Sequence, residues 1–564
     1  MTKAVIESGK VEKIDGTYVL NGSIHDFGVP ATLSDSLMER LERLSDVKEL
    51  VQMAAVIGRN LDQGTLADLS ALPSQDLANL LDRLVSAELL FRASTGGEAT
   101  YAFKHALLRD AAYESMPRAK RIKLHQRLYE VLVARGGADP EIRAHHAEIA
   151  GLNEAALESW EEAGRSAVAR SAFKEAVAAF KAAIRLCSGL GTNFRLAMRE
   201  QQLYVQMGQA LIAGEGYADR ATMLAFSRAT ELADVIGAPD LQLPALYGLW
   251  ASRHVAVQHS ADAAERFFQI AGAQNDHGTQ MVGLRMMALE RFHAARLQEA
   301  LDLNDRSIAL YRPQAHGDLK LRFGSDPRVV AGQYRAWCLW HLGKADKAVE
   351  QMEQSLAWAR ESEHANTISV ALHSAAVTTG TWLRLGEPAE RMMRETLRMS
   401  EEMSLVHTGT WGGYFLGLAL HRQGKDGARE QMEVGLDRMR RNRDKRFNHL
   451  HFSCAAEIYA DLGCHEEAAA AIDYAFVALH ESKDNVYAPD LHRVRARVML
   501  AADAGSVDEA QAHLQQAICI ARAQGGLALE LRAATDLAAL LAGRGEKDQA
   551  ADLLRPVYAS FSEG

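Results

Sequence analysis

The chain has 564 residues, of which 48% are apolar and 24% charged, and its formal net charge is −10. Abundant apolar residues and five scattered cysteines without CxxC spacing exclude a disordered chain, a collagen-like repeat and a disulfide scaffold. The negative charge disfavours sequence-independent nucleic-acid binding, and no window reaches the roughly 20 apolar residues of a membrane span. With only 11 prolines beside abundant Ala, Leu, Glu and Arg, the sequence predicts a mostly all-α, cytoplasmic protein.

Residues 1–30 begin in the middle of a pattern. The letters AVIES are typical of the last turn of a helix whose earlier turns are missing, and so short a helix cannot bury a face by itself. The following VEKIDGTYVLNG predicts a β-hairpin with Asp15 and Gly16 in its turn. We interpret this opening as the remnant of a preceding domain.

Residues 31–135 have the pattern of a compact winged-helix-like unit. Periodic apolar positions predict helices before residue 88, the first over 33–44 and the last beginning at Ser74. Segments 89–92 and 100–103 flank a glycine turn and predict a two-stranded hairpin. Two further helices, at about 105–116 and 118–134, complete the unit.

Residues 140–564 are almost entirely helical and repetitive. Turn glycines at 343, 386, 424, 463, 505 and 545 recur at spacings of 43, 38, 39, 42 and 40 residues, and a small residue follows each one. That small residue lets the second helix of a hairpin approach the first. The pattern resembles tetratricopeptide repeats, whose usual period of ~34 residues is lengthened here. It predicts an α-solenoid of about ten helical hairpins with an inserted loop at about 312–328.

The sequence lacks the short motifs of common enzyme sites. Gly-Lys occurs at residues 9, 343 and 424, but no Ser or Thr follows it, so a phosphate-binding P-loop is absent. There is no GxSxG, and His465-Glu466 is followed by Ala469 where the second ligand of HExxH would stand. We therefore expect no catalytic residue and no cofactor.

One group of side chains has partial metal-site spacing. His451 and Cys454 are three residues apart and can share a helix face, with His449 before them and Cys464 and His465 after the next turn. CxxC spacing is missing, and buried cysteines usually behave as small apolar residues. We expect no metal here.

The winged-helix-like unit raises the question of DNA binding. Its helix at 74–87 carries Asp76, Asp82 and Arg83, whereas a helix in the major groove presents basic and amide side chains. We interpret it as a buried packing helix and do not expect a nucleic-acid partner. Two basic runs are interpreted as solvated faces or docking surfaces, with phosphate or RNA binding left open. They are Arg118, Lys120, Arg121, Lys123 and Arg127, and Arg438, Arg440, Arg441, Arg443, Lys445 and Arg446.

Repeat arrays bind partners on the concave face formed by the first helix of each hairpin. Aromatic and arginine side chains carry much of the energy of such interfaces, and the repeat register places several of them there. An alternative is that the longer helices bury these rings between repeats. The candidate groove residues are Trp337, Trp340, His373, Trp411, Tyr414, His421, His492 and Arg495.

The segments VPATLSDSLMERLERLSDVKELVQMAAVIGR, YAFKHALLRDAAYESM and LHQRLYEVL resemble a known bacterial family. They are similar to the region behind the ATPase core in class III adenylate/guanylate cyclases fused to a STAND-type ATPase and tetratricopeptide repeats. The resemblance implies that residues 1–30 are an ATPase-side remnant and that residues 31–135 form the winged helix. The cyclase and P-loop ATPase parts are missing, so neither activity is carried over.

The resemblance implies a non-catalytic regulatory and protein-interaction module of signal transduction. Its expected partners are a protein or peptide in the concave face and a separate cyclase or ATPase subunit. His105, Arg109 and Tyr113 share one helix face and either contact the ATPase core or only cap and fill the winged-helix unit. The alternative functions are a transcription regulator that binds DNA through the winged helix, with the repeats as sensor, and an enzyme with an unrecognised site.

Overall fold

The structure is a computed structural model that describes residues 11–14, 17–20, 47–93, 99–191, 193–403, 406–441 and 445–562. It divides into two compact units, Met1–Thr192 and Asn193–Gly564. The described residues form 28 α-helices and five short strands. The predicted, mostly all-α fold is therefore confirmed.

The first unit contains the predicted N-terminal hairpin. Strand β1 (Val11–Ile14) pairs antiparallel with β2 (Thr17–Leu20), with Ile14 opposite Thr17. The turn residues Asp15 and Gly16, the predicted helical turn near residues 4–8 and the predicted helix at 33–44 lie outside the described residues.

A three-stranded sheet and five helices follow in the first unit. Strand β5 pairs antiparallel with β4, as the hairpin pattern predicts, and on its other edge with β3. The sequence analysis did not predict β3, because three residues are too few to show a period of two. The elements are α1 (Lys48–Ile57), β3 (Asn60–Asp62), α2 (Gln63–Ser70), α3 (Ser74–Ser86), β4 (Leu90–Ala93), β5 (Thr100–Phe103), α4 (Ala106–Glu114) and α5 (Arg118–Arg135).

Three more helices belong to the first unit: α6 (Pro140–Ile149), α7 (Asn153–Ala169) and α8 (Phe173–Gly189). Helix α6 packs on α5, where the Nδ1 atoms of the buried His125 and His146 lie 2.8 Å apart in a hydrogen bond. The compact unit therefore includes residues 140–191. The start of the repeats near residue 140 stays a prediction.

The second unit consists of helical hairpins in sequence order. Its helices are α9 (Phe194–Glu215), α10 (Arg220–Ile236), α11 (Pro239–Val255), α12 (Ala261–Gly272), α13 (His277–His293), α14 (Leu297–Ala309), α15 (Pro313–His316), α16 (Leu319–Phe323), α17 (Pro327–His341), α18 (Ala345–Glu361), α19 (Ala365–Val377), α20 (Gly386–Met403), α21 (Val406–His421), α22 (Ala428–Arg441), α23 (Asn448–Asp461), α24 (His465–Ser482), α25 (Ala488–Ala502), α26 (Val507–Gln524), α27 (Leu527–Gly543) and α28 (Lys547–Ala559). A π-helical turn, Thr378–Trp382, continues α19, and a 3₁₀ turn, Asn485–Tyr487, precedes α25.

The small residues that define the repeat are buried where the hairpins close. They are Ala348, Ala389, Ala428, Ala468, Ala510 and Ala550. Helices α21 and α22 approach each other closely. A Cβ on Gly435 would lie 2.4 Å from the backbone nitrogen of Tyr414, and a Cβ on Gly417 would lie 2.5 Å from that of Met432. Only glycine fits at these two positions.

The expected inserted loop contains two short helices, α15 and α16. Leu319 and Phe323 of α16 are buried, and the Tyr247 hydroxyl donates a hydrogen bond to the carbonyl of Phe323 at 2.9 Å. This segment lies between α14 and α17 and contributes apolar side chains to the core.

The first helices of the hairpins, here called the inner helices, also contact one another. Helix α17 contacts α13, α19 and the distant α27. The imidazole Nδ1 of His293 in α13 lies 2.7 Å from a carboxylate oxygen of Asp484, and Arg446 Nε donates to the carbonyl of His254 at 2.7 Å. These pairs are separated by 191 and 192 residues. Much of the space between the inner helices is therefore filled by the chain's own side chains.

Candidate partner-binding surface

A buried carboxylate in α23 joins four arginines from three neighbouring repeats. Arg384 and Arg422 donate to the two oxygens of Glu457 at 2.6 and 2.9 Å. Arg493 donates to Oε1 at 3.3 Å, and Arg497 also donates to that oxygen. Because Arg384 and Arg422 lie in the turns after α19 and α21, and the other two arginines lie in α25, one carboxylate of α23 crosslinks these repeats.

The arginines keep the central carboxylate ionised. Burial by itself would raise the pKa of Glu457, but Arg493, Arg384 and Arg422 outweigh it and hold that pKa well below its usual range. Removing either partner of such a buried pair leaves an uncompensated charge, which is strongly destabilising. The network is therefore a fixed part of the fold.

Further ion pairs extend this network along the inner helices. Arg493 contacts Asp490 at 2.7 Å and Asp536 of α27 at 3.1 Å. The carboxylate of Asp461 lies 3.1 Å from the guanidinium of Arg497 and 3.2 Å from the imidazole of His421. Together with Arg532, 3.5 Å from Asp490, these residues form what we call the Glu457 network. Its members are Arg384, His421, Arg422, Glu457, Asp461, Asp490, Arg493, Arg497, Arg532 and Asp536.

Part of the Glu457 network is accessible to solvent. The side chains of Arg384 and Arg497 are 42% and 32% exposed, whereas that of Glu457 is only 3% exposed. Both guanidinium groups are thus paired with a buried carboxylate, while part of each arginine side chain is exposed to water. This surface offers N–H donors in fixed positions to an approaching acceptor.

Four of the predicted groove residues are buried in the core of the repeats. Trp340 stacks on Trp382 with ring centroids 4.9 Å apart, and the indole of Trp337 donates to Thr378 Oγ1 at 3.2 Å. The hydroxyl of Tyr414 donates to the carbonyl of His451 at 2.6 Å. His373, the fourth, packs edge-on against Phe415. These four rings are therefore buried between repeats, which is the alternative to a groove position. The inner helices that carry them contact inner helices of other repeats.

The other predicted groove residues take different positions. His421 belongs to the Glu457 network. His492 and Arg495 instead face the second helices α24 and α26, since His492 contacts His513 at 3.0 Å and Arg495 contacts Asp473 at 2.6 Å. The side chain of Trp411 lies outside the described residues.

The predicted inter-domain face on α4 contains three residues in different settings. His105 is the exposed residue before α4, and Arg109 pairs with the adjacent Asp110 at 2.9 Å. The Tyr113 hydroxyl is 2.9 Å from His125 Nε2, so this side chain packs within the first unit. Its position agrees with the interpretation that it only fills the winged-helix unit. A contact of this face with an ATPase core stays a prediction.

The second basic run does not form one exposed surface in the residues described. Arg446 is buried against the carbonyl of His254, Lys445 pairs with Glu481 at 3.6 Å, and Arg440 lies over the ring of Phe452. The Arg441 side chain and residue 443 lie outside the described residues.

Within the described ranges, no group of three or more His, Cys, Asp or Glu side chains is placed to hold a metal ion. His449, His451 and Cys454 are buried, while His465 is exposed. Over the same part of the chain, no helix combines the length and apolar character needed to cross a bilayer.

The Glu457 network was not predicted from the sequence, although the sequence contains a signal for it. Opposite charges recur one repeat apart, as in Glu457 and Arg497, which are 40 residues apart. Two successive inner helices also carry charges four residues apart, Glu457 and Asp461 in α23 and Arg493 and Arg497 in α25. Reading charge, in addition to small residues, at the repeat period would have found it.

No protein-family model matches the chain. An uncharacterized protein of Rhizobium meliloti (strain 1021) is 26% identical in an alignment of 520 residues, and the alignment covers 88% of this chain and 49% of that protein. The chain therefore spans about half the length of this curated relative.

Two solved structures are similar to the chain at low identity. The apo form of the quorum sensor NprR from B. thuringiensis has a TM-score of 0.40 and 10% identity, covering 70% of this chain and 99% of that one. A Rap protein complexed with competence and sporulation factor has a TM-score of 0.38 and 14% identity, covering 72% and 96%. TM-scores of this size carry no argument about function.

Proposed function

We propose that the chain is a non-catalytic, regulatory protein-interaction module whose inner helices bind a protein or peptide partner. The observation that carries this proposal is the anchored and partly exposed arginine pair of the Glu457 network, Arg384 and Arg497. Arginine is enriched at the energetic centres of interfaces, and an anchored side chain loses little conformational entropy on binding. A segment with carboxylate or carbonyl acceptors is the matching partner.

The backbone around Arg384 supports the same assignment. This residue follows the π-helical turn Thr378–Trp382 and has a φ of 58°, in the left-handed region that non-glycine residues seldom occupy. Single π-helical turns inside α-helices often occur at functional sites. The local geometry turns the Arg384 guanidinium towards Glu457 of the neighbouring repeats.

The finer part of the proposal follows the family resemblance. The motifs around Phe103-Lys104-His105 and Arg109–Tyr113 support a role as the regulatory part of a cyclase–ATPase signalling system in the cytoplasm, with a separate cyclase or ATPase subunit as a partner. A DNA sequence upstream of Met1 that encodes a P-loop would support this assignment.

The alternative function is DNA binding by the first unit. The order α1, β3, α2, α3, β4, β5 matches a winged helix and favours this candidate. Against it, α3 buries Leu77, Leu81 and Leu84 and exposes Asp76 and Asp82. Salt-dependent binding of duplex DNA by the full chain would support the alternative.

Partner binding is tested by comparing two double variants as bait in an extract of the source organism. In Arg384→Ala/Arg497→Ala the proposed surface is lost, while Arg422 and Arg493 still pair with Glu457, and a urea unfolding midpoint close to that of the wild type verifies that this variant is folded. In Arg394→Ala/Arg398→Ala, the matched control, two exposed arginines of α20 are lost, each of which pairs with a carboxylate four residues away. We expect a partner that the wild type and the control retain and the first variant loses, with about 2 kcal/mol less binding energy. Identical retention by both variants would contradict the proposal.

The non-catalytic part of the proposal has its own test. The purified chain is incubated with ATP and Mg²⁺, and released phosphate and cyclic nucleotide are measured. We expect neither product, and clear turnover of ATP would overturn this part.

A further inference from the structure

Five helices of the first unit surround a cavity of about 670 Å³. This volume lies within the range of about 300–1,000 Å³ that small-molecule sites occupy. The cavity is lined by Tyr113 of α4, Arg118, Arg121 and Ile122 of α5, His145, Glu148 and Ile149 of α6, Trp160 of α7 and Arg185 of α8.

Positive charge predominates in this cavity. Three arginines face one carboxylate, Glu148. Arg185 donates to Glu148 at 2.6 Å, and the indole of Trp160 donates to its other oxygen at 3.0 Å. Among the described residues, no carboxylate oxygen lies within 4.0 Å of the guanidinium of Arg118 or Arg121. Two positive charges in the cavity are therefore uncompensated.

A chain of side-chain contacts holds Arg121 and Tyr113 in place beside the cavity. Arg121 lies over the ring of Tyr113 at 5.2 Å, and the Tyr113 hydroxyl is hydrogen-bonded to His125, which in turn bonds to His146. Burial first, and then the neighbouring His145 and Arg121, lower the pKa of His125 to about 4, so this imidazole is neutral near pH 7. The three arginines are the cationic groups that line the cavity at every pH near neutrality.

We infer that this cavity binds a small phosphate ester, with Arg118 and Arg121 holding the phosphate and the rings of Tyr113 and Trp160 contacting the organic part. The planar fork of a guanidinium matches the oxygens of a phosphate in bidentate fashion. A phosphate dianion neutralises the two uncompensated charges, and two aromatic rings in the same cavity favour a planar organic group.

The inference is tested by calorimetric titration of the full chain with phenyl phosphate, inorganic phosphate and benzoate. We expect phenyl phosphate to bind most tightly, since it alone supplies both the dianion and the ring. Binding of benzoate as tight as that of phenyl phosphate would contradict the phosphate assignment. No binding of any of the three would overturn the site.

A charge-matched pair of variants locates the binding. Arg118→Gln/Arg121→Gln is expected to weaken phenyl phosphate binding about tenfold or more, because charge-assisted hydrogen bonds are lost. Lys123→Gln/Arg127→Gln changes the net charge of α5 equally, at exposed positions outside the cavity, and should leave affinity unchanged. Equal losses in both would indicate general electrostatic attraction and contradict the site. Arg118→Gln alone, at the exposed start of α5, serves if the double variant does not fold, and it should still weaken binding.

Discussion

At the scale of single residues, buried histidines are the most informative group. Burial lowers the pKa of His125 in the first unit and of His341 in the second unit to about 4. The ring of His341 is fully buried, and its Nδ1 lies 2.8 Å from the carbonyl of Trp337. A proton can be added to such a ring only against the cost of burying a charge.

These histidines predict the pH dependence of stability. An unfolded histidine has a pKa of about 6.5, so between about pH 4 and pH 6.5 the unfolded chain binds more protons than the folded chain. The contribution of these histidines to the free energy of unfolding is therefore largest above about pH 6.5, and it decreases as the pH falls towards 4. Urea unfolding followed by circular dichroism should show a lower midpoint near pH 5 than near pH 7.5.

Two variants separate the histidine contribution from other effects. His341→Gln should reduce the difference between the two pH values, because one depressed pKa is removed. His465→Gln changes an exposed ring and should leave the difference unchanged. A midpoint that is equal or higher at the lower pH would contradict the prediction.

At the scale of elements, helices α21 and α22 can pack closely because glycines lie at their contact. Gly417 and Gly435 face the backbone of the partner helix, and the nearby Tyr414 is fully buried. Its hydroxyl bonds to α23, so a shift of α21 would also disturb the next repeat.

We predict that Gly435→Ala destabilises the second unit by about 1–3 kcal/mol, the usual cost of overpacking. The new Cβ would lie 2.4 Å from the Tyr414 nitrogen, so the two helices must separate. Urea unfolding measures the change. The matched control is Gly272→Ala at the end of α12, where a Cβ meets nothing within 4 Å and stability should be kept. Equal stability of both variants would show that the helices adjust without cost.

At the scale of the whole molecule, two compact units divide the chain at Thr192. Residues 140–189 belong to the first unit, and the His125–His146 hydrogen bond joins α5 to α6. Division near residue 140, where the repeat pattern begins in the sequence, would expose this buried contact to water.

Fragments of the chain test the boundary. We expect residues 1–192 and residues 193–564 each to unfold cooperatively, with helical circular dichroism spectra that add up to that of the full chain. Residues 1–139 should be less stable than residues 1–192, because α5 loses its contact with α6. Equal thermal midpoints of these two fragments would instead favour the boundary near residue 140.

Local patterns in the sequence predicted much of the fold correctly. The start of α3 at Ser74, the pairing of β4 with β5 and the buried small residues such as Ala468 follow from turn chemistry and helical periodicity. The candidate site was less predictable. Of the proposed groove residues, His421 belongs to the Glu457 network, whereas Trp337 and Trp340 are buried in the core.

The amino-acid sequence by itself determined the helices and their stacking, because both depend on residues a few positions or one repeat apart. Only the tertiary structure decided which faces of the inner helices stay open. Contacts such as His293 with Asp484, 191 residues apart, depend on how small rotations accumulate along successive hairpins. Those contacts bury the aromatic rings, whereas Arg384 and Arg497 beside Glu457 stay partly exposed.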